Sequence, residues 1–136
     1  TEIMAEALID GLMDAGVEAQ LHHLRSTHIS DIVTEVLDAG LLLIGSPTLN
    51  NNLFPTVSQF LTYLKGLRPR NKAALAFGSF GWSGEAVKLI NQELEAMKLK
   101  VVHEGLKIKY IPDPEELGAA RKLAEQLARE NLVTKA

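Results

Sequence analysis

Apolar positions along this chain switch repeatedly between helical and strand spacing, and each switch marks a new element. Ile3, Met4, Ala7, Leu8 and Met13 recur three or four residues apart before Gly16, which predicts an opening helix over residues 3–15. Val17, Ala19 and Leu21 alternate with polar neighbours, so residues 17–24 read as a strand near a sheet edge. Ser30 and Asp31 then lead into the helical set Ile32, Val33, Val36 and Leu37, closed by Ala39 and Gly40. Residues 41–44 are all apolar, the pattern of a central strand buried on both faces of a parallel sheet.

The irregular stretch 45–55 is rich in turn formers and reads as a long strand-to-helix loop. Val57, Phe60, Leu61 and Leu64 mark a helix expected to stop at Lys65 and Gly66. Arg68, Arg70 and Lys72 read as a solvated connection to a buried strand over residues 72–77. A tight glycine loop, residues 78–84, follows. The next helix should start with Ser83 as N-cap and Glu85 in its first turn, and bury Ala86, Leu89, Ile90, Leu94 and Met97. Residues 101–111 contain a strand expected to bend at Gly105, and Pro112, Asp113 and Pro114 open a final helix.

Such alternation predicts an α/β fold, a doubly wound parallel sheet in three layers with helices on both faces. Ligands in that architecture sit beyond the carboxyl ends of the strands. Loops 45–55 and 78–84 both fall there, on one rim.

Composition narrows the function. The chain has 136 residues, 46% of them hydrophobic, which suits one domain with a sizeable core. Its 17 acidic and 14 basic residues are interspersed and leave a net charge of −3, so nucleic acid and anionic membrane are not expected partners. The absence of cysteine removes disulfides, thiolate metal sites and a cysteine nucleophile. No apolar run reaches the roughly 18 residues of a membrane span, and no signal-peptide pattern opens the chain, so a cytoplasmic protein is expected.

The glycines at 78, 81 and 84 match neither a Walker A loop nor the dinucleotide fingerprint, and Ser46, Ser79 and Ser83 lack the flanks of a nucleophile elbow. The strand ends carry Ser, Thr and Asn, neutral groups suited to an uncharged heterocycle, a ribityl chain or a phosphate. His22 and His23 would point to opposite faces of a strand, so His22, His23, His28 and His103 read as surface or helix-cap residues and no metal site is expected.

Two stretches carry a resemblance. Ser46-Pro47-Thr48-Leu49-Asn50-Asn51 with Phe54-Pro55-Thr56, and the run from Phe77 to Ala86, resemble the two later FMN-binding loops of flavodiiron proteins, or A-type flavoproteins. The likeness spans essentially the whole chain, including Glu104-Gly105-Leu106-Lys107 and Tyr110-Ile111-Pro112. It implies a flavodoxin-like FMN-binding domain over residues 1–136, with no catalytic residue of its own. Carried over by position, Ser46, Pro47, Thr48, Leu49, Asn50 and Asn51 would meet the flavin ring or ribityl chain. Ser79, Phe80, Gly81, Trp82, Ser83 and Gly84 would line the ring's other edge, with Phe80 or Trp82 as an aromatic wall, and Thr1 would lie at the phosphate.

The family's electrons would come from a redox partner such as rubredoxin or a reductase. They would pass through FMN to a diiron centre that reduces dioxygen or nitric oxide, in a domain of the same or a second subunit, which allows for a homo-oligomer. That metal-bearing domain is not in this sequence, so this part of an oxidoreductase is not expected to be active alone. The family's flavodoxin domain also opens with a strand and a Ser/Thr-rich phosphate loop, whereas this sequence opens within or just after that loop. The first strand and most of the phosphate loop are therefore expected to be lacking. In the strand order 2-1-3-4-5 that strand lies between residues 17–24 and 41–44, so a rearranged sheet, one completed by another chain, or a direct pairing of those two segments is expected, with weak or absent FMN binding. Two other readings of the residues are a free-standing flavodoxin-like NAD(P)H:quinone or flavin reductase and a cofactor-free α/β interaction domain.

Overall fold

The structure, a computed structural model, describes residues 1–48, 52–70, 72–81 and 84–131. Among the described residues five helices and four strands follow the expected order save at two places: no strand lies between the first two helices, and the last expected strand is split in two. The elements are α1 (Glu2–Asp14), α2 (Ile29–Asp38), β1 (Leu41–Gly45), α3 (Pro55–Leu67), β2 (Ala73–Phe80), α4 (Glu85–Ala96), β3 (Lys100–Val101), β4 (Leu106–Lys109) and α5 (Pro114–Asn131). All pairings are parallel: β1 lies against β2, while β3 and β4 follow one another along the other edge of β2.

Two cores sandwich this sheet. On one face α2, α3 and α4 pack Val36, Phe60, Leu64, Ile90 and Leu94 onto Leu42, Ile44, Ala74 and Ala76. On the other, α1 and α5 bury Met4, Leu8, Ala124 and Leu127 against Leu75, Phe77 and Ile108. Strand side chains alternate between faces, so β2 is apolar on both and carries the molecule. In α1 the buried stripe is Met4, Ala5, Leu8 and Leu12, while Ile3 and Met13 are exposed.

Residues 17–24 are not a strand. Val17 and Ala19 still turn inward against the α1–α5 core, but no ladder forms, and the expected pairing with residues 41–44 does not occur. Backbone polarity explains this: a strand needs a partner for its amides, and the alternating pattern alone supplies none. The outer edge of β1 consequently has no strand partner among the described residues, and β1 is an edge strand instead of a central one. Leu41 and Leu43 are only half-buried. A groove of about 970 Å³ runs between β1 and residues 17–26, floored by apolar side chains of both cores such as Leu8, Leu12, Val36 and Phe60.

The remaining differences are local. His28 caps α2, its Nδ1 accepting from the Ser30 amide at 3.2 Å, two residues earlier than the sequence pattern places the start. The His103 Nδ1 likewise accepts from the Gly105 amide at 3.0 Å. Gly105, at φ +117°, makes the bend between β3 and β4, and a Cβ there would collide with Val87. α3 runs through Gly66 to Leu67, and Arg68 takes the left-handed stop position at φ 52°. Lys72 is buried and not solvated: its Nζ donates to the carbonyls of Leu37 and Ala39 at 3.1 and 2.7 Å, closing the C-terminal end of α2. Asp113 and Glu116 exchange backbone-to-side-chain bonds of 2.7 and 3.1 Å, a capping box at the start of α5.

Candidate functional site

Because the strands are parallel and in register, Gly45, Phe80 and Lys109 all end on one rim. There the chain leaves β1 without leaving β2. The Ser46 amide donates to Phe77 O and the Thr48 amide to Ser79 O, both at 3.1 Å, so the first loop is strapped along the end of the second strand. This strap runs so close that the Ser46 carbonyl occupies the place of a Cβ on Gly78, which only glycine permits.

The expected site residues take distinct places on this rim. Ser46 is fully buried; its hydroxyl donates to Pro47 O at 2.8 Å and accepts the Phe54 amide at 3.1 Å, closing the loop upon itself. Pro47 and Thr48 are half-buried at the loop's mouth. Ser79 is a junction: its amide donates to Thr1 Oγ1 at 3.3 Å, the two hydroxyls are 2.7 Å apart, and its carbonyl receives Thr48. Thr1, Thr48 and Ser79 are thereby brought together. Phe80 is half-buried with its ring against Gly84, and Gly81 is exposed. Leu49, Asn50, Asn51, Trp82 and Ser83 lie outside the described residues.

Two helix N-termini meet this rim. α1 begins at Thr1 with no side chain capping its first amides. α4 has Gly84, which carries no side chain, as its N-cap, and the Ala86 amide donates to Thr48 Oγ1 at 3.1 Å, across from the first loop. Both ends carry partial positive charge and first-turn amides that have no partner within the helix, which favours an anionic or carbonyl-rich ligand. With neutral hydroxyls, a half-buried aromatic ring and main-chain donors, this set fits the phosphate, ribityl chain and ring edges of FMN. Among the described residues no group of three or more His, Cys, Asp and Glu could hold a metal ion, and no helix is long and apolar enough to cross a membrane.

Sequence reasoning missed two contributors. Ala86 acts only through its amide, and no side-chain pattern announces that. Tyr110 ends β4 in the left-handed region at φ 60°; its amide donates to Phe80 O at 2.7 Å and its ring lies over Gly81. An aromatic one strand away from the glycine loop, just before Ile111-Pro112, was its one available signal.

Comparison with known proteins accords with this geometry. The flavodoxin family model matches residues 1–123. The chain is 43% identical over 94% of its length to a nitric oxide reductase of Moorella thermoacetica, and 40% identical over 95% to a rubredoxin-oxygen oxidoreductase of Megalodesulfovibrio gigas, covering 32% of each. Among solved structures it superposes on the rubredoxin oxygen:oxidoreductase of Desulfovibrio gigas with a TM-score of 0.92 (39% identity, 96% of this chain, 32% of that one). It superposes on a flavodoxin from the Archaea with a TM-score of 0.84 (27% identity, 96% of this chain, 89% of that one). It thus spans about a third of the length of the curated relatives it matches. The chain belongs to the flavodoxin family and is similar, over nearly its whole length, to the flavodoxin-like third of flavodiiron proteins.

Proposed function

We propose that this domain binds FMN on the rim formed by Thr1, residues 46–54 and residues 78–84, and serves as the electron-transfer module of a flavodiiron-type protein. The observation that carries the reading is the joint placement of Thr1, Thr48 and Ser79, which brings two loops and two helix N-termini together on one rim. Bound FMN would supply a ring able to accept and release one or two electrons. The α1 amides and the Thr1 hydroxyl would hold the phosphate. Pro47, Thr48 and Asn50 would face the ring or ribityl chain, and the main chain of residues 79–84 its other edge. Amide donors held there favour negative charge on the ring and so raise its potential. Phe80 and Trp82 would shield it from water.

In this reading a rubredoxin-like protein or a reductase supplies the electrons, and a diiron centre in another domain or subunit spends them on dioxygen or nitric oxide. A second reading, a free-standing flavin or quinone reductase, draws on the near full-length match to the archaeal flavodoxin. Purifying the complete gene product tests both. The first predicts flavin absorbance, FMN in the extract, bound iron, and consumption of dioxygen or nitric oxide with reduced rubredoxin. NAD(P)H oxidation by an iron-free yellow protein would favour the second. A colourless protein that does not quench FMN fluorescence would defeat both and leave a cofactor-free interaction domain.

A further inference from the structure

Thr48 bonds the second loop through its main chain and the helix that follows that loop through its side chain. Its amide donates to Ser79 O and its Oγ1 accepts from the Ala86 amide, each at 3.1 Å. The first bond ties it to the end of β2, and the second to the first turn of α4, whose N-cap, Gly84, has no side chain to offer. Along the sequence, residues 81–84 of the glycine loop fall between those two anchor points. We infer that Thr48 is a positioning residue, a staple that fixes the glycine loop at both ends and so sets the spacing between the two flavin-binding edges. The inference rests on the FMN reading for its ligand but not for its geometry.

The chemistry favours Thr over its neighbours in size. A hydroxyl oxygen has two acceptor lone pairs, and one takes the Ala86 amide in the first turn of α4, where amides have no intrahelical partner. Valine has the same shape and no acceptor, whereas serine keeps the acceptor and loses only a methyl group. The amides of both edges would face a ring that gains negative charge on reduction, so loosening their spacing weakens binding of reduced FMN more than of oxidised FMN. One lost bond of this kind corresponds to about a tenfold change in their ratio. Tenfold is about 30 mV downward for a two-electron couple.

The test uses the complete gene product with Thr48→Val, Thr48→Ser and Ala86→Pro, the last deleting the amide at a first-turn position where proline is tolerated. Amide exchange in the first turn of α4, read without flavin, should quicken in Thr48→Val and return to wild type in Thr48→Ser. FMN titrations in both redox states should show the tenfold shift in Thr48→Val and in Ala86→Pro, no further shift in the double variant, and little in Thr48→Ser. Unchanged exchange in Thr48→Val, or fully additive effects, would overturn the staple. If Thr48→Val does not fold, Ala86→Pro against Thr48→Ser decides on the same two readouts. Wild-type protein that binds no FMN would defeat the flavin reading alone, since the exchange measurement still judges the staple.

Discussion

The carbonyl oxygen of Ser46 stands where a Cβ of Gly78 would have to be. Any side chain at position 78 must push the first loop off β2 and break the bonds from Ser46 to Phe77 and from Thr48 to Ser79. Gly78→Ala should therefore cost about 1–3 kcal/mol, the usual penalty for overpacking a tight interior. It should also weaken FMN binding in the complete protein. Chemical denaturation together with FMN titration checks this; a variant as stable as wild type would mean that the loops are not pressed together.

Lys72 gives a pH-dependent prediction. Burial strips its ammonium of water and pushes its pKa below the ordinary 10.5, with Asp38 pulling the other way. Below the lowered folded value both folded and unfolded chains carry the charge, so the burial cost is present in full. Between the lowered folded value and 10.5 the unfolded chain binds more protons, so this group's contribution to stability rises with pH. Lys72→Met should be destabilised at pH 7 by about 1–3 kcal/mol, because the Leu37 and Ala39 carbonyls lose their donor. The gap between wild type and variant should widen towards pH 10. Denaturant midpoints at both pH values measure it, and a gap that narrows would contradict the sign.

At the end of α3 the stop signal is misplaced. Gly66 lies inside the helix with open space where a methyl group would stand, whereas the exposed Arg68 takes the left-handed cap at φ 52°. Gly66→Ala should stabilise the domain by about 0.5–1 kcal/mol through helix propensity, and Arg68→Gly by a similar amount through relief at the cap. Thermal unfolding of each variant, and of both together, checks this. A loss of stability in Arg68→Gly would show that its side chain is needed elsewhere.

That misplacement shows where the sequence is legible. Periodicity located every described helix and the β1 and β2 strands, and read β3 and β4 as one strand bent at Gly105, because each buries a face against a common core, and the Gly, Ser and Asn clusters marked the rim loops. Failures came where a tertiary partner decides. Residues 17–24 alternate like a strand, yet a strand needs a ladder that the pattern cannot promise. Leu41 to Ile44 look central because they are all apolar, but lie at an edge facing a groove. The N-cap of α4 falls at Gly84 and not at Ser83, and the Ala86 amide bonds Thr48, 38 positions earlier. Local signals cannot carry a bond that the fold alone brings together.

The outer edge of β1 yields the last prediction. Its backbone groups have no strand partner among the described residues and face a groove floored by apolar side chains of both cores. Amides at such an edge open to solvent with little free-energy cost. For the 136 residues expressed by themselves, outward amides of Leu41–Gly45 should exchange much faster than those of Ala73–Phe77 in β2, and FMN should bind more weakly than micromolar. If flanking residues encoded by the gene supply an extended apolar segment, it can fill the groove and pair with β1, slowing exchange there. The same docking would steady Thr1 beside Ser79 and tighten FMN binding. Hydrogen exchange and FMN titration on both forms compare them directly. Equal protection of β1 in the two forms, or submicromolar FMN binding by the 136 residues alone, would show that the edge is already satisfied and that the rim needs nothing beyond these residues.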